Sequence, residues 1–126
     1  LYECELGNNV FVGPFVEITK GVKIGHNTKI SSHSFLCELV EIGESCFISH
    51  GVMFTNDLFK SGKLGGGIKN WHSTSIGNNV IIGSNATILP IKICDGCVIG
   101  AGSVVTKDLK IKGIYAGNPA KLFRKL

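Results

Sequence analysis

Glu38, Asn56 and Asp57 are the residues whose types and spacing most readily suggest chemistry. Carboxylates and side-chain amides can accept hydrogen bonds from a nucleophile and hold it in a reactive orientation. Lys20, Glu38 and Asn56 follow one another along the chain at intervals of 18 residues. In a fold whose coils have this same interval, the three side chains would form a column, with neighbours about 4.8 Å apart. We therefore predict that Glu38, Asn56 and Asp57 form one polar cluster.

The histidines are the second group of candidates. His33 and His50 fall on turns close to this column, and we predict that both contact a substrate. A structural zinc site needs four clustered ligands, but the Cys94-Asp-Gly-Cys97 segment has no second pair of ligands nearby in the sequence. We therefore predict no metal site, and we interpret Cys94 and Cys97 as structural.

A repeat of six residues must position these side chains. Large aliphatic residues recur at this interval, and many are followed by glycine. Three hexads would form one triangular coil, in which each side is a short strand, and stacked coils would bury each other's apolar edges. The sequence therefore predicts an all-β, parallel solenoid, although the spacing alone does not determine its handedness. The repeat positions are Leu6, Val12, Ile18, Ile24, Ile30, Leu36, Ile42, Ile48, Phe54, Ile76, Ile82, Ile88, Ile93, Ile99 and Val105.

Interruptions of the repeat divide the chain, which we interpret as one domain covering residues 1–126. Coils are predicted over about 6–56 and 76–110. Residues 57–75 lack the repeat and should form a projecting loop. Long insertions of this kind are often functional. Residues 111–126 should form a cap at the end of the coils.

Two shorter features of the sequence make further predictions. Ile88 and Ile93 are closer together than the repeat requires, so one turn after Pro90 should be a residue short. Asn118 followed by Pro119 suits the start of a helix, and a short helix is therefore expected over about 119–126.

Composition excludes several classes of protein. The net charge of +4 is too small to indicate nucleic-acid binding, although basic residues concentrate near the carboxyl end. No apolar run approaches the roughly 20 residues that a membrane-spanning helix requires. The five cysteines cannot all pair in disulfide bonds, because their number is odd, and no secretory leader is recognisable. The expectation is a cytoplasmic protein with free thiols and no association with a membrane.

Four segments carry a family resemblance. They are 48–57 (ISHGVMFTND), 76–90 (IGNNVIIGSNATILP), 99–108 (IGAGSVVTKD) and 116–121 (AGNPAK). Together they resemble the hexapeptide-repeat acetyltransferases, and within them the enzymes that acetylate the 3-amino group of nucleotide-linked sugars for bacterial surface glycans. The resemblance implies a left-handed parallel β-helix, acetyl-CoA as co-substrate, a nucleotide-linked amino sugar as acceptor, and a homotrimer with its sites between subunits.

The resemblance also implies roles for individual residues. Glu38, Asn56 and Asp57 match the positions that line the amino group of the sugar and would be catalytic. The residues that match the CoA groove are Gly83, Ser84, Ala101, Thr106 and Lys107.

The nature of the acyl acceptor depends on whether a base is present. The related O-acetyltransferases carry a catalytic histidine in the loop, and Phe59 occupies that position here. A hydroxyl needs a base to become nucleophilic, whereas a sugar amine does not, so an amine acceptor is favoured. His72 could supply the base that an O-acetyltransferase needs if the loop folds back. The sequence also leaves room for a zinc enzyme of the carbonic anhydrase type and for a non-enzymatic solenoid.

Overall fold

The structure is a computed structural model that describes residues 1–64 and 70–126, and it consists of short β-strands joined by turns. Within these residues no helix is long and apolar enough to cross a membrane. The strands are β1 Glu5–Leu6, β2 Phe11–Val12, β3 Glu17–Ile18, β4 Lys23–Ile24, β5 Lys29–Ile30, β6 Phe35–Leu36, β7 Val40–Ile42, β8 Phe47–Ile48, β9 Met53–Phe54, β10 Thr74–Ile76, β11 Ile81–Ile82, β12 Thr87–Ile88, β13 Lys92–Ile93, β14 Val98–Ile99, β15 Val104–Val105, β16 Gly113–Gly117 and β17 Ala120–Lys125.

The strands form three parallel sheets that are the sides of a triangular prism. Sheet A contains β1, β4, β7, β10 and β13, sheet B contains β2, β5, β8, β11, β14, β16 and β17, and sheet C contains β3, β6, β9, β12 and β15. Each strand pairs with the strand one coil away, and Phe35, for example, pairs with Met53, its counterpart three hexads later. This confirms the predicted coil of three hexads and the all-β parallel solenoid, an arrangement consistent with the left-handed β-helix that the resemblance implied.

From Ile18 onward, the repeat positions form the core because they point into the prism. Ile18, Ile30, Ile48 and Ile82 are fully buried. Burial of one such side chain stabilises the fold by about 1.5–3 kcal/mol. The residue before each of them points outward, so these two-residue strands alternate between core and surface.

The break in the repeat lies between sheets C and A. Val40 pairs with Thr74, 34 residues later in the sequence. In an uninterrupted coil the partner lies 18 residues later, as for Phe35 and Met53. Residues 55–73 therefore connect β9 to β10, and the pairing of the coils continues on both sides of the insertion. The predicted loop, 57–75, includes residues 65–69, which lie outside the described residues, and its projection from the prism stays a prediction.

The last coils are shorter than the others. Ile76 pairs with Ile93, one residue short of three full hexads, which confirms the short turn predicted after Pro90. Val98 then pairs with Ile114, so this coil is shorter by one residue more. The register of the inward positions is preserved because residues are lost from turns and not from strands.

The predicted terminal helix over 119–126 is wrong. Residues 120–125 form β17, which pairs antiparallel with β16, and Asn118 and Pro119 form the turn between the two strands. Their peptide bond is cis. The local helix-start signal is overridden because β16 extends sheet B and offers a free edge to β17.

Glycines at the A/B corner set how closely the coils can stack. A Cβ atom on Gly25 would lie 2.6 Å from the backbone carbon of Gly43 in the next coil. We expect Gly25→Ala to lower the free energy of unfolding by roughly 1–3 kcal/mol because the two backbones must separate. Gly100→Ala is the matched control, since the nearest atom to its Cβ would be the Ala116 Cβ, at 3.2 Å. Urea unfolding measures both variants, and equal losses would contradict this explanation.

Candidate functional site

Glu38 and Asn56 are stacked at the corner between sheets C and A, where they follow β6 and β9. The Asn56 Nδ2 donates a hydrogen bond to the backbone oxygen of Glu38 at 3.2 Å. Both side chains are half-buried. The column predicted from the spacing is therefore present. Lys20, its third member, is exposed and lies 3.6 Å from the Glu3 carboxylate in an ion pair.

Asp57 begins the insertion immediately beside this column. Its Oδ1 accepts a hydrogen bond from the Phe59 N–H at 2.9 Å, the geometry of an Asx turn. Phe59 has a positive φ of 51°. The carboxylate of Asp57 thus shapes the first residues of the insertion and stays half-buried at the corner.

The end of the insertion returns to the same place. The His72 N–H donates a hydrogen bond to the backbone oxygen of Asn56 at 2.8 Å. The His72 side chain is exposed, and it lines a depression of about 400 Å³ together with Asp57, Lys60, Lys63 and other residues of the insertion. The end of the insertion, with His72, therefore returns to the Asn56 corner.

Asp57 also lines a second depression, which we call the aromatic depression. Its volume is about 380 Å³, and its wall includes Glu38, Asn56 and Asp57. Phe35, Phe59 and Trp71 supply rings to the same wall. A sugar ring has apolar faces and polar edges, so rings beside carboxylates suit it chemically.

Cys37 also lines the aromatic depression, but it does not provide a nucleophile. Burial raises the pKa of the Cys37 thiol to about 11, and the neighbouring Glu38 carboxylate adds to the shift. The thiol is therefore protonated near pH 7. Because the thiolate is the reactive species, Cys37 is not expected to form a covalent intermediate.

His33 and His50 lie at the other edge of sheet C, at the B/C corner. His50 Nδ1 is 2.8 Å from Ser32 Oγ, and the His33 ring is 5.1 Å from the exposed ring of Phe15. One chain therefore does not bring these histidines together with Glu38. Among the described residues, no three His, Cys, Asp or Glu side chains form a metal-ligating group.

The residues predicted to bind CoA divide between the same two corners. Ser84 and Ala101 continue the His50 column, and Gly83 directly precedes Ser84. The Gly102 N–H donates to the Ser84 oxygen at 2.8 Å. A Cβ on Gly83 would lie 2.5 Å from the Ala101 nitrogen, so glycine is required for this stacking.

The other two predicted CoA residues follow β15 on the corner that carries Asn56. Thr106 is half-buried and Lys107 is exposed. The five predicted CoA residues therefore lie along both edges of sheet C. They follow β11, β14 and β15.

Sequence reasoning missed Trp71 and Phe35 as parts of the site. Phe35 stands at an outward strand position, and its pairing with Met53 indicates only that it lies on the surface of sheet C. Trp71 is the only tryptophan of the chain and belongs to the insertion. Its return to the corner depends on the path of that insertion, which has no repeat to predict it.

Comparisons with known proteins agree with this architecture. Residues 3–37 match the family described as bacterial transferase hexapeptide (six repeats), and residues 73–107 match the hexapeptide repeat of succinyl-transferase. The bifunctional protein GlmU of Streptococcus uberis is 34% identical over 121 residues, which are 95% of this chain and 24% of that protein. The chain thus spans about a quarter of the length of this curated relative.

Solved structures of two acetyltransferases resemble the chain over nearly its full length. A maltose O-acetyltransferase from Clostridium difficile 630 has a TM-score of 0.82 and 29% identity, covering 97% of this chain and 69% of that one. A galactoside acetyltransferase in complex with coenzyme A has a TM-score of 0.79 and 33% identity, covering 96% and 64%.

Proposed function

Because the chain belongs to the hexapeptide-repeat transferases, we propose that it transfers an acetyl group from acetyl-CoA to the 3-amino group of a nucleotide-linked sugar. The observation that carries this proposal is the cluster of Glu38, Asn56 and Asp57 in the wall of the aromatic depression. The product would enter bacterial surface glycan synthesis in the cytoplasm.

The aromatic depression is the proposed site of the sugar. Phe35, Phe59 and Trp71 would contact the apolar face of the ring, and the carboxylates of Glu38 and Asp57 would accept hydrogen bonds from the amine. An amine offers donors to both carboxylates, whereas a hydroxyl has a single proton to donate.

The reaction needs no strong base in this arrangement. The neutral amine attacks the thioester carbonyl, and the C–S bond breaks as the new C–N bond forms. The surplus proton of the amine leaves with the CoA thiolate, so atoms and charge balance. Glu38 and Asp57 orient the amine, while Asn56 is held in place by its bond to the Glu38 oxygen. Positioning then supplies much of the rate.

Acetyl-CoA is proposed to lie along the last coils. Gly83, Ser84 and Ala101 leave room for its pantetheine arm at the B/C corner, and Thr106 and Lys107 would contact it at the C/A corner. The likeness to a galactoside acetyltransferase in complex with coenzyme A supports acetyl-CoA as the co-substrate.

The outward faces of the sheets support the proposed homotrimer. Sheet A presents charged residues such as Glu41 and Lys92, whereas sheets B and C present a larger share of apolar ones, including Ile81 at 45% and Met53 at 40% exposure. Burial of these apolar faces would favour association. A trimer could also place the His33 and His50 edge of one subunit opposite the Glu38 edge of the next.

A thiol-release assay tests the proposed function. The protein is incubated with acetyl-CoA and a panel of 3-amino nucleotide sugars, each paired with its 3-hydroxy counterpart. We expect CoA release only with the amines, and mass spectrometry should find the acetyl group on nitrogen. Release with the hydroxyl sugars alone would overturn the amine assignment, and no release with any acceptor would count against the whole proposal.

The position of His72 favours O-acetylation as a second candidate function. Its backbone bond to Asn56 brings an imidazole to the rim beside Asp57, where it could act as a base. His72→Ala distinguishes the two candidates. If the acceptor is an amine, we expect the variant to keep turnover within a few-fold, whereas a hydroxyl acceptor should lose about 100-fold or more in kcat. His26→Ala, at the distant A/B corner, is the matched control.

A further inference from the structure

Cys94 and Cys97 are brought together by a single turn between β13 and β14. Their sulfur atoms are 3.4 Å apart. Both cysteines are free thiols in this structure. A disulfide requires the two sulfurs to approach to about 2.05 Å, so a small rotation of the side chains would close this distance.

The backbone of the turn also suits a disulfide, because it brings the Cα atoms of the two cysteines close together. Asp95 and Gly96 are the central residues of the turn, and Gly96 has a positive φ of 76°. The first and last Cα atoms of a β-turn lie within about 7 Å of each other, and disulfides usually join Cα atoms about 4.4–6.8 Å apart. No movement of the coils is needed.

The two thiols differ in accessibility, and this difference determines which of them reacts first. Cys94 is partly exposed and lines a depression whose charged side chains are Lys92, Asp108 and Lys110. Cys97 is buried. Burial, together with the hydrogen bond to Cys94, raises the pKa of the Cys97 thiol to about 11. An external reagent should therefore meet the Cys94 sulfur first.

We propose that Cys94 and Cys97 form a dithiol site that a low-molecular-weight disulfide oxidises to an intramolecular disulfide. The Cys94 thiolate attacks one sulfur of the reagent, forms a mixed disulfide and releases one thiolate. Cys97 then attacks the Cys94 sulfur, gives up its proton to the solvent and displaces the second thiolate. The protein loses two electrons and two protons, and the reagent is reduced to two thiols.

The site is coupled to the carboxyl-terminal hairpin. The Ile111 backbone oxygen accepts a hydrogen bond from the Tyr115 hydroxyl at 2.6 Å and a weak one from the Cys97 sulfur at 3.6 Å. The Lys112 side chain lies over Gly96. Disulfide formation would remove the Cys97 S–H donor at the base of β16.

The distribution of lysines allows a direct test on the intact protein. Trypsin releases residues 93–107 as one peptide that contains both cysteines and no other, while Cys37 and Cys46 share the peptide 30–60. The folded protein is treated with glutathione disulfide, its remaining thiols are alkylated under denaturing conditions, and the digest is analysed by mass spectrometry.

We expect peptide 93–107 to lose two hydrogens and to take no alkyl group, while 30–60 keeps both thiols. Dithiothreitol should restore the two thiols. In Cys97→Ser a glutathione adduct should accumulate on Cys94, and Cys94→Ser should leave Cys97 unmodified. Cys4→Ser is the matched control and should not change the cross-link. The proposal is overturned if wild-type peptide 93–107 keeps both thiols, or if it stops at the glutathione adduct.

Discussion

Asp57→Asn is expected to lower kcat for the best acceptor by about 100-fold or more, which corresponds to about 2.7 kcal/mol of transition-state stabilisation. The substitution removes the charge that would orient the amine. It keeps the Asx turn, because an amide oxygen can still accept the Phe59 N–H bond that Asp57 Oδ1 accepts at 2.9 Å. The loss should therefore report on chemistry and not on the path of the insertion. The measurement is steady-state kinetics with acetyl-CoA at saturation.

Asp95→Asn is the matched control for this experiment. Asp95 Oδ1 also accepts a backbone hydrogen bond, from the Asn78 N–H at 2.7 Å, but it lies at the A/B corner, away from the aromatic depression. We expect its turnover to stay within about twofold of the wild type, as for surface changes remote from a site. Full turnover of Asp57→Asn at saturating acceptor would show that the assigned role of this carboxylate is wrong.

The repeat allowed most of the fold to be predicted because it is a local pattern with a direct structural consequence. An aliphatic residue every sixth position specifies which side chain points inward, and the coil register follows from it. The short interval from Ile88 to Ile93 even predicted the shortened coil. The stacking of Asn56 on Glu38 follows from the same register, and it was therefore accessible from spacing alone.

The features that were missed depend on non-local packing. The helix predicted over 119–126 was based on a local start signal at Asn118 and Pro119. The competing interaction is the pairing of β17 with β16 at the edge of sheet B. No local sequence pattern predicts this pairing. The return of Trp71 and His72 to the Asn56 corner is likewise set by tertiary contacts of an irregular segment. The coil register brought Glu38 and Asn56 together at the C/A corner. His33 and His50, which were predicted close to them, lie at the B/C corner, and Trp71 on the insertion was missed.

Phe54→Ala should produce the largest loss of stability, about 3–5 kcal/mol in the free energy of unfolding. Phe54 is the largest of the fully buried side chains, with only 1% of its surface exposed. It ends the last strand before the insertion, and it is also one of the residues that line the aromatic depression. The substitution leaves a cavity between coils, since rigid strands paired on both sides cannot collapse into the space.

Urea unfolding at a fixed protein concentration measures this loss, because association would otherwise change the apparent stability. Phe54→Leu retains more of the buried volume and should lose less, which keeps the prediction testable if the alanine variant fails to fold. Phe123→Ala makes the same truncation at a side chain that is 77% exposed, and it should cost less than about 0.5 kcal/mol. Equal losses for Phe54→Ala and Phe123→Ala would mean that the inward positions of the repeat do not hold the coils together.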